Sequence, residues 1–142
     1  MQTVETYDRA ILVVDDEKNY RIVLANLLSK AGYRVFTADG PGRCLDILRE
    51  QRVALVISDL RLAGTDGVAM CRKIVEEFGP LPCILFSACL SPQALAEMPG
   101  AGIVGYLGKP FDNRELLNLV AKILPPESSR NMLPMFARQP GL

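Results

Sequence analysis

Four apolar runs in this chain end abruptly in polar residues. Asp15 and Asp16 follow Ala10–Val14, Ser58 and Asp59 follow residues 53–57, Ser87 follows 83–86, and Gly108 with Lys109 follows 103–107. Three carboxylates, a hydroxyl and an ammonium could together hold a cation and receive a phosphoryl group. An aspartate beside a divalent ion and a lysine can attack phosphorus, with both cations neutralising the phosphoryl oxygens. Such a transfer depends on positioning and charge neutralisation and needs no imidazole base on the acceptor side, and the chain has no histidine. Each residue alone has an ordinary reading: an Asp behind a strand is usually a turn or cap residue, a Ser a loop residue and a Lys a solvated charge. The joint pattern carries the argument.

If the fold gathers these carboxylates on one rim, each pair repels by roughly 3 kcal/mol at ~5 Å and an effective dielectric of ~20. A cation is then expected. Oxygen ligands without His or Cys suit Mg²⁺, which keeps several waters and takes one or two carboxylates. Cys44, Cys71, Cys83 and Cys89 form no C-x-x-C pair and lie in apolar contexts, so they read as small buried hydrophobes and zinc is excluded.

The elements that must position these groups follow from hydrophobic period. Residues 10–14, 53–57, 83–86 and 103–107 read as strands buried on two faces, and 33–37, which alternates and contains Arg34, as a strand at a sheet edge. Between them run helical stripes: Tyr20, Leu24, Leu27, Leu28 and Ala31; Cys44, Ile47 and Leu48; Val68, Cys71, Val75 and Phe78; and Leu116, Val120, Ile123 and Leu124. Gly32 and Gly79-Pro80 stop the first and third, and Asp112 with Glu115 has the spacing of a capping box that starts the last near Asn113. Asp66-Gly67 reads as a turn and helix start. Residues 91–102 allow only a short or irregular fourth helix, because Pro92 suits a first turn and Pro99, Gly100 and Gly102 end the pattern. Strand then helix, five times over, predicts an open α/β sandwich with a parallel sheet and helices on both faces. Ligands of such folds collect at the carboxyl ends of the strands.

The chain has 142 residues, 49% hydrophobic and 23% charged, enough for one globular domain. Sixteen Lys and Arg balance sixteen Asp and Glu, which argues against direct nucleic-acid binding. With a polar N-terminus and no long apolar run, neither a signal peptide nor a membrane span is expected, and the reading is cytoplasmic. Residues 125–142, with four prolines and no periodicity, read as a flexible tail in which Met132, Leu133, Met135 and Phe136 could dock a partner.

The stretches Ile11-Leu12-Val13-Val14-Asp15-Asp16-Glu17, Asp59 to Gly67, Ser87-Ala88 and Tyr106-Leu107-Gly108-Lys109-Pro110-Phe111 resemble, in order, the landmarks of the response-regulator receiver domain of two-component signalling. The resemblance covers residues 8–124. It implies a flavodoxin-like, CheY-like sheet of five parallel strands in the order 2-1-3-4-5. It makes Asp59 the phosphoacceptor, Asp16 and Asp59 ligands of Mg²⁺ together with the Arg61 backbone carbonyl, and Asp15 a ligand through water. Lys109 would bind the phosphoryl oxygens and Pro110 follow a cis peptide. Ser87 and Tyr106 would form the switch, the hydroxyl moving to the phosphoryl group and the ring turning inward. The chain departs from the family at Leu62-Ala63, where Met-Pro is frequent, and in its short fourth helix, so a family-typical dimer face is not assumed.

The implied function is a phospho-accepting switch rather than an enzyme, taking phosphate from a histidine kinase or histidine phosphotransfer protein and acting on a downstream protein. At most it would phosphorylate itself from small donors and dephosphorylate itself. One alternative is the receiver segment of a larger hybrid kinase or transcriptional regulator. Another, from a different class, is a Mg²⁺-dependent aspartyl-phosphate phosphotransferase or phosphatase, for which no substrate-binding insert is visible.

Overall fold

Strand β1 (Ala10–Val14) is buried along its whole length, as an uninterrupted apolar run must be when helices cover both faces of a parallel sheet. It lies second in a sheet with β2 (Arg34–Ala38), β3 (Leu55–Asp59), β4 (Cys83–Ser87) and β5 (Ile103–Gly108), all pairs parallel, in the order β2-β1-β3-β4-β5. This is the expected order. The computed structural model describes residues 10–62, 64–88 and 91–125, so the expectations for Cys89 and for the tail beyond residue 125 lie outside the described residues.

Helices α1 (Lys18–Lys30) and α5 (Asn113–Ile123) cover one face, setting Leu24, Leu28, Leu116 and Val120 against Ile11, Val13, Ile57, Ile84 and Phe86. On the other face, α2 (Pro41–Glu50) and α3 (Gly67–Phe78) set Cys44, Ile47, Val68, Cys71 and Ile74 against Leu12, Val56 and Leu85, joined by Ala94 of the six-residue α4 (Pro92–Glu97). The α3 stripe is centred on Cys71 and Ile74, with Val75 and Phe78 only half-buried.

Helix starts follow the predicted chemistry. The Asp112 carboxylate accepts from the Arg114 amide at 2.8 Å while Glu115 accepts from the Asp112 amide at 3.2 Å, completing the capping box. Asp66 caps α3 by accepting from the Ala69 amide at 2.7 Å. Gly67 is required by proximity: a Cβ there would stand 2.7 Å from the Asp59 carbonyl oxygen and 2.9 Å from a Leu85 methyl. The first turn of α3 therefore rests directly on the end of β3.

Two expectations need correction. Residues 103–107 were expected to be buried on two faces, yet β5 is the second edge of the sheet, and its residues alternate between half-buried and exposed, with Val104 and Tyr106 outward. Its register slips between the pairs Cys83–Ile103 and Ile84–Gly105, so Ile103 joins the core under α2 and α3 while Leu107 joins the opposite one. An apolar run with no polar marker does not reveal that slip. Tyr33, expected as the first residue of the edge strand, precedes it. It is buried, and its hydroxyl donates to the Leu124 carbonyl at 2.5 Å.

Candidate functional site

Parallel strands put the ends of β1, β3, β4 and β5 on one rim, where the outcome for each predicted residue differs. Asp15 is 1% exposed. Its amide donates to the Ala38 carbonyl at 3.1 Å, and its Oδ1 accepts from the Glu17 amide at 2.8 Å. Its Oδ2 is buried with no hydrogen-bond partner among the described residues. Burial raises the Asp15 carboxyl above its ordinary value, and Asp59 and Asp16 push the same way, against the Glu17 amide and Lys109. An acceptor oriented inward with nothing to accept from is a costly arrangement and marks a place for a positive group.

Asp59, the last residue of β3, has both oxygens engaged: Oδ1 accepts from the Arg61 amide at 3.0 Å and Oδ2 from Lys109 Nζ at 3.1 Å. Lys109 is aimed by its own backbone, whose amide donates to the Ser87 carbonyl at 2.7 Å. The Lys109–Pro110 peptide is cis, as the resemblance implied. Ser87 ends β4 and is buried. Asp16 and Arg61 are exposed at the mouth of the rim. Tyr106 stands apart, half-exposed on the outer side of β5, in a groove with Leu95, Met98 and Val104.

Sequence reasoning missed the residues that hold the lysine. Lys109 Nζ lies 4.3 Å from the centre of the Tyr20 ring and 4.9 Å from that of Phe86. The two rings meet edge to face at 5.5 Å, and Phe111 closes the group at 6.3 and 6.0 Å. Burial, together with the charges of Asp15, Asp59 and Glu17, pushes the Tyr20 hydroxyl up to about 12. Arg21 Nη1 donates to the Asp15 carbonyl at 2.7 Å. One signal could have found Tyr20: an aromatic opening the inward stripe of the helix that follows Asp15-Asp16 must sit at the rim.

The family model described as the response regulator receiver domain matches residues 11–121. The chain belongs to that family. This receiver is 32% identical over 121 residues to the sporulation initiation phosphotransferase F of Bacillus subtilis (strain 168), with 84% of this chain covering 96% of that protein. It is also 32% identical over 118 residues to the CAI-1 autoinducer sensor kinase/phosphatase CqsS of Vibrio cholerae, where 81% of this chain covers 17% of that protein. The chain thus spans nearly the whole of one relative and a small part of the other. Its fold is similar to that of the Vibrio cholerae chemotaxis protein CheY4, with a TM-score of 0.76, 26% identity, and coverage of 81% of this chain and 98% of that one. It is a receiver domain of two-component signalling with the CheY-like fold. None of the helices among the described residues is long and apolar enough to cross a membrane.

Receivers generally bind Mg²⁺ at the site of phosphorylation, and this receiver tests that requirement residue by residue. Among the described residues no three Asp, Glu or Cys side chains form a ready-made cage. The expected crowd of three carboxylates is looser than the sequence suggested, because Lys109 already neutralises Asp59 and Asp16 faces solvent. The unpartnered Asp15 Oδ2 and the all-oxygen donor set fit a largely hydrated Mg²⁺ and would not suit a metal that demands a complete protein shell.

Proposed function

We propose that this receiver is a phosphoacceptor switch in which a histidine kinase or histidine phosphotransfer protein gives its phosphoryl group to Asp59. The observation that carries this reading is the Asp59 carboxylate at the end of β3, held between the Arg61 amide and Lys109 Nζ beside the unpartnered Asp15 oxygen. In the transfer a carboxylate oxygen of Asp59 attacks phosphorus and the phosphorus–nitrogen bond of the donor's phosphohistidine breaks. The imidazole nitrogen keeps the bonding pair and takes up a proton. Lys109 passes from the carboxylate to the phosphoryl oxygens, steered by the Tyr20 and Phe86 rings. Asp16, Asp59 and the Arg61 carbonyl, with Asp15 through water, would hold Mg²⁺, which supplies further neutralisation of phosphoryl charge when bound.

Ser87 and Tyr106 form the switch, with the Ser87 hydroxyl engaging the phosphoryl group and the outward Tyr106 ring turning in. The domain spans residues 8–124, with 125–142 a tail, and acts in the cytoplasm on a downstream protein target. It is a stoichiometric acceptor, not an enzyme with an external substrate. The likeness to a sensor kinase/phosphatase supports a second reading, in which the same chemistry serves as one segment of a larger hybrid protein. Incubation with acetyl phosphate and Mg²⁺, followed by intact-mass measurement, should add one phosphate to the parent and none to Asp59→Asn. Phosphate retained by the variant, or turnover of the donor that continues undiminished in the variant, would overturn the assignment.

A further inference from the structure

Lys109 has two unlike kinds of neighbour. Its Nζ donates to Asp59 Oδ2 at 3.1 Å, and the same nitrogen stands 4.3 Å from the centre of the Tyr20 ring and 4.9 Å from that of Phe86. The first contact cannot outlast the transfer unchanged. Once an oxygen of Asp59 is bonded to phosphorus, the negative charge stands on the phosphoryl oxygens, further out from the end of β3, and the ammonium has to follow it. A hydrogen bond holds its partner only over a narrow range of distance and angle, whereas an aromatic face attracts a cation anywhere over the ring within about 6 Å of its centre. The rings can therefore keep hold of Nζ while its anionic partner changes.

Packing alone explains only one of the two rings. Phe86 is fully buried in β4 and belongs to the core under α1 and α5. Tyr20 is half-buried in the first turn of α1, where the inward stripe of that helix reaches the rim, and an aliphatic side chain would continue the stripe as well. What an aliphatic side chain lacks is a face. Edge-to-face contacts with Phe86 at 5.5 Å and Phe111 at 6.3 Å set the plane of the Tyr20 ring, and Lys109 Nζ lies over it.

We propose that Tyr20 is a positioning residue for the phosphoryl transfer: its ring face keeps the Lys109 ammonium at the rim while Nζ passes from Asp59 Oδ2 to the phosphoryl oxygens. Tyr20 acts through Lys109 and not on the phosphoryl group. The role deepens the reading of Asp59 as acceptor and rests on it; the contact between ring and ammonium does not.

Initial rates of phosphate incorporation from acetyl phosphate and Mg²⁺, read by intact mass, test it in the full chain. Tyr20→Leu, which keeps an apolar side chain and removes the face, should be about tenfold slower than the parent. Tyr20→Phe should restore most of that loss. In a Lys109→Ala background, Tyr20→Leu should change the residual rate by less than about twofold, because the group it positions is gone. A rate in Tyr20→Leu equal to that of the parent overturns the proposal. An equal loss in the Lys109→Ala background also overturns it, since Tyr20 then only supports the fold, as does an equal loss in Tyr20→Phe, which assigns the effect to the hydroxyl. Proton NMR without phosphodonor reads the contact itself: ring currents should shift the Lys109 ε-methylene protons upfield in the parent and in Tyr20→Phe, and less in Tyr20→Leu. Ordinary shifts in a parent that does take up phosphate overturn the positioning role alone. A parent that takes up none while Lys109 keeps its upfield shift overturns the acceptor reading and the role with it.

Discussion

Among the described residues, burial acts in opposite senses on the thiols under α2 and α3 and on the Asp15 carboxylate at the end of β1. Cys44, Cys71 and Cys83 are each fully buried in one core. Burial pushes the Cys44 thiol up to about 12, and the hydrogen bond with Cys83, followed by burial, raises Cys71. The neutral form is a thiol's ordinary state near pH 7, so burial leaves these groups as they were. A carboxylate is ordinarily charged, so the same burial at Asp15 leaves an unmet demand for a positive partner. Burial therefore silences one group and primes the other.

Removing the cation that already answers part of that demand should have the largest effect. Lys109→Ala leaves Asp59 Oδ2 without its partner and the phosphoryl oxygens without a counter-charge, so phosphate incorporation from acetyl phosphate should fall about 100-fold. A rate within a few-fold of the parent would detach the ion pair from the chemistry.

Asp15→Asn tests the unmet demand itself, since Asn keeps an oxygen for the Glu17 amide and removes the charge. Burial raises this carboxyl, so the folded state holds its proton more tightly than the unfolded chain does. The group favours folding below the usual carboxylate range, and that contribution is lost as pH rises through the raised value. At pH 7 in chelator the variant should melt a few degrees above the parent. Stabilisation by added Mg²⁺ should shrink in the same series. A lower melting temperature in chelator would show that the Asp15 charge is satisfied in the fold.

The smallest effects belong to the thiols. A thiol-alkylating reagent should leave Cys44, Cys71 and Cys83 unmodified in the native protein and modify all three after denaturation, as read by peptide mapping. Cys71→Ala should cost about 1 kcal/mol in a denaturant titration and leave phosphate incorporation unchanged. Rapid native labelling would erase the contrast between the two groups.

What the sequence made legible was local or periodic. The polar stops behind apolar runs marked the rim, the Asp112–Glu115 spacing marked a helix start whose two hydrogen bonds are both present, and Pro92 with Pro99 bounded a helix of six residues. What it left hidden depends on pairs far apart in the chain. Tyr20 and Phe86 cradle Lys109 across the sheet, Lys109 reaches Asp59 over a separation of 50 residues, and the register slip in β5 exposes Val104 without any polar residue to announce it. The Arg61 amide on Asp59 Oδ1 belongs to the same class, because a backbone donor leaves no trace in residue type.

The space that Gly67 leaves open has a mechanical consequence. Because α3 begins flush against the peptide of Asp59, a tilt or slide of the helix towards the sheet would press on that peptide, and a shift of the peptide on the helix. Twelve residues of helix make a stiff rod of about 18 Å. A shift at its foot would be carried along that rod towards Phe78 at the other end of the helix.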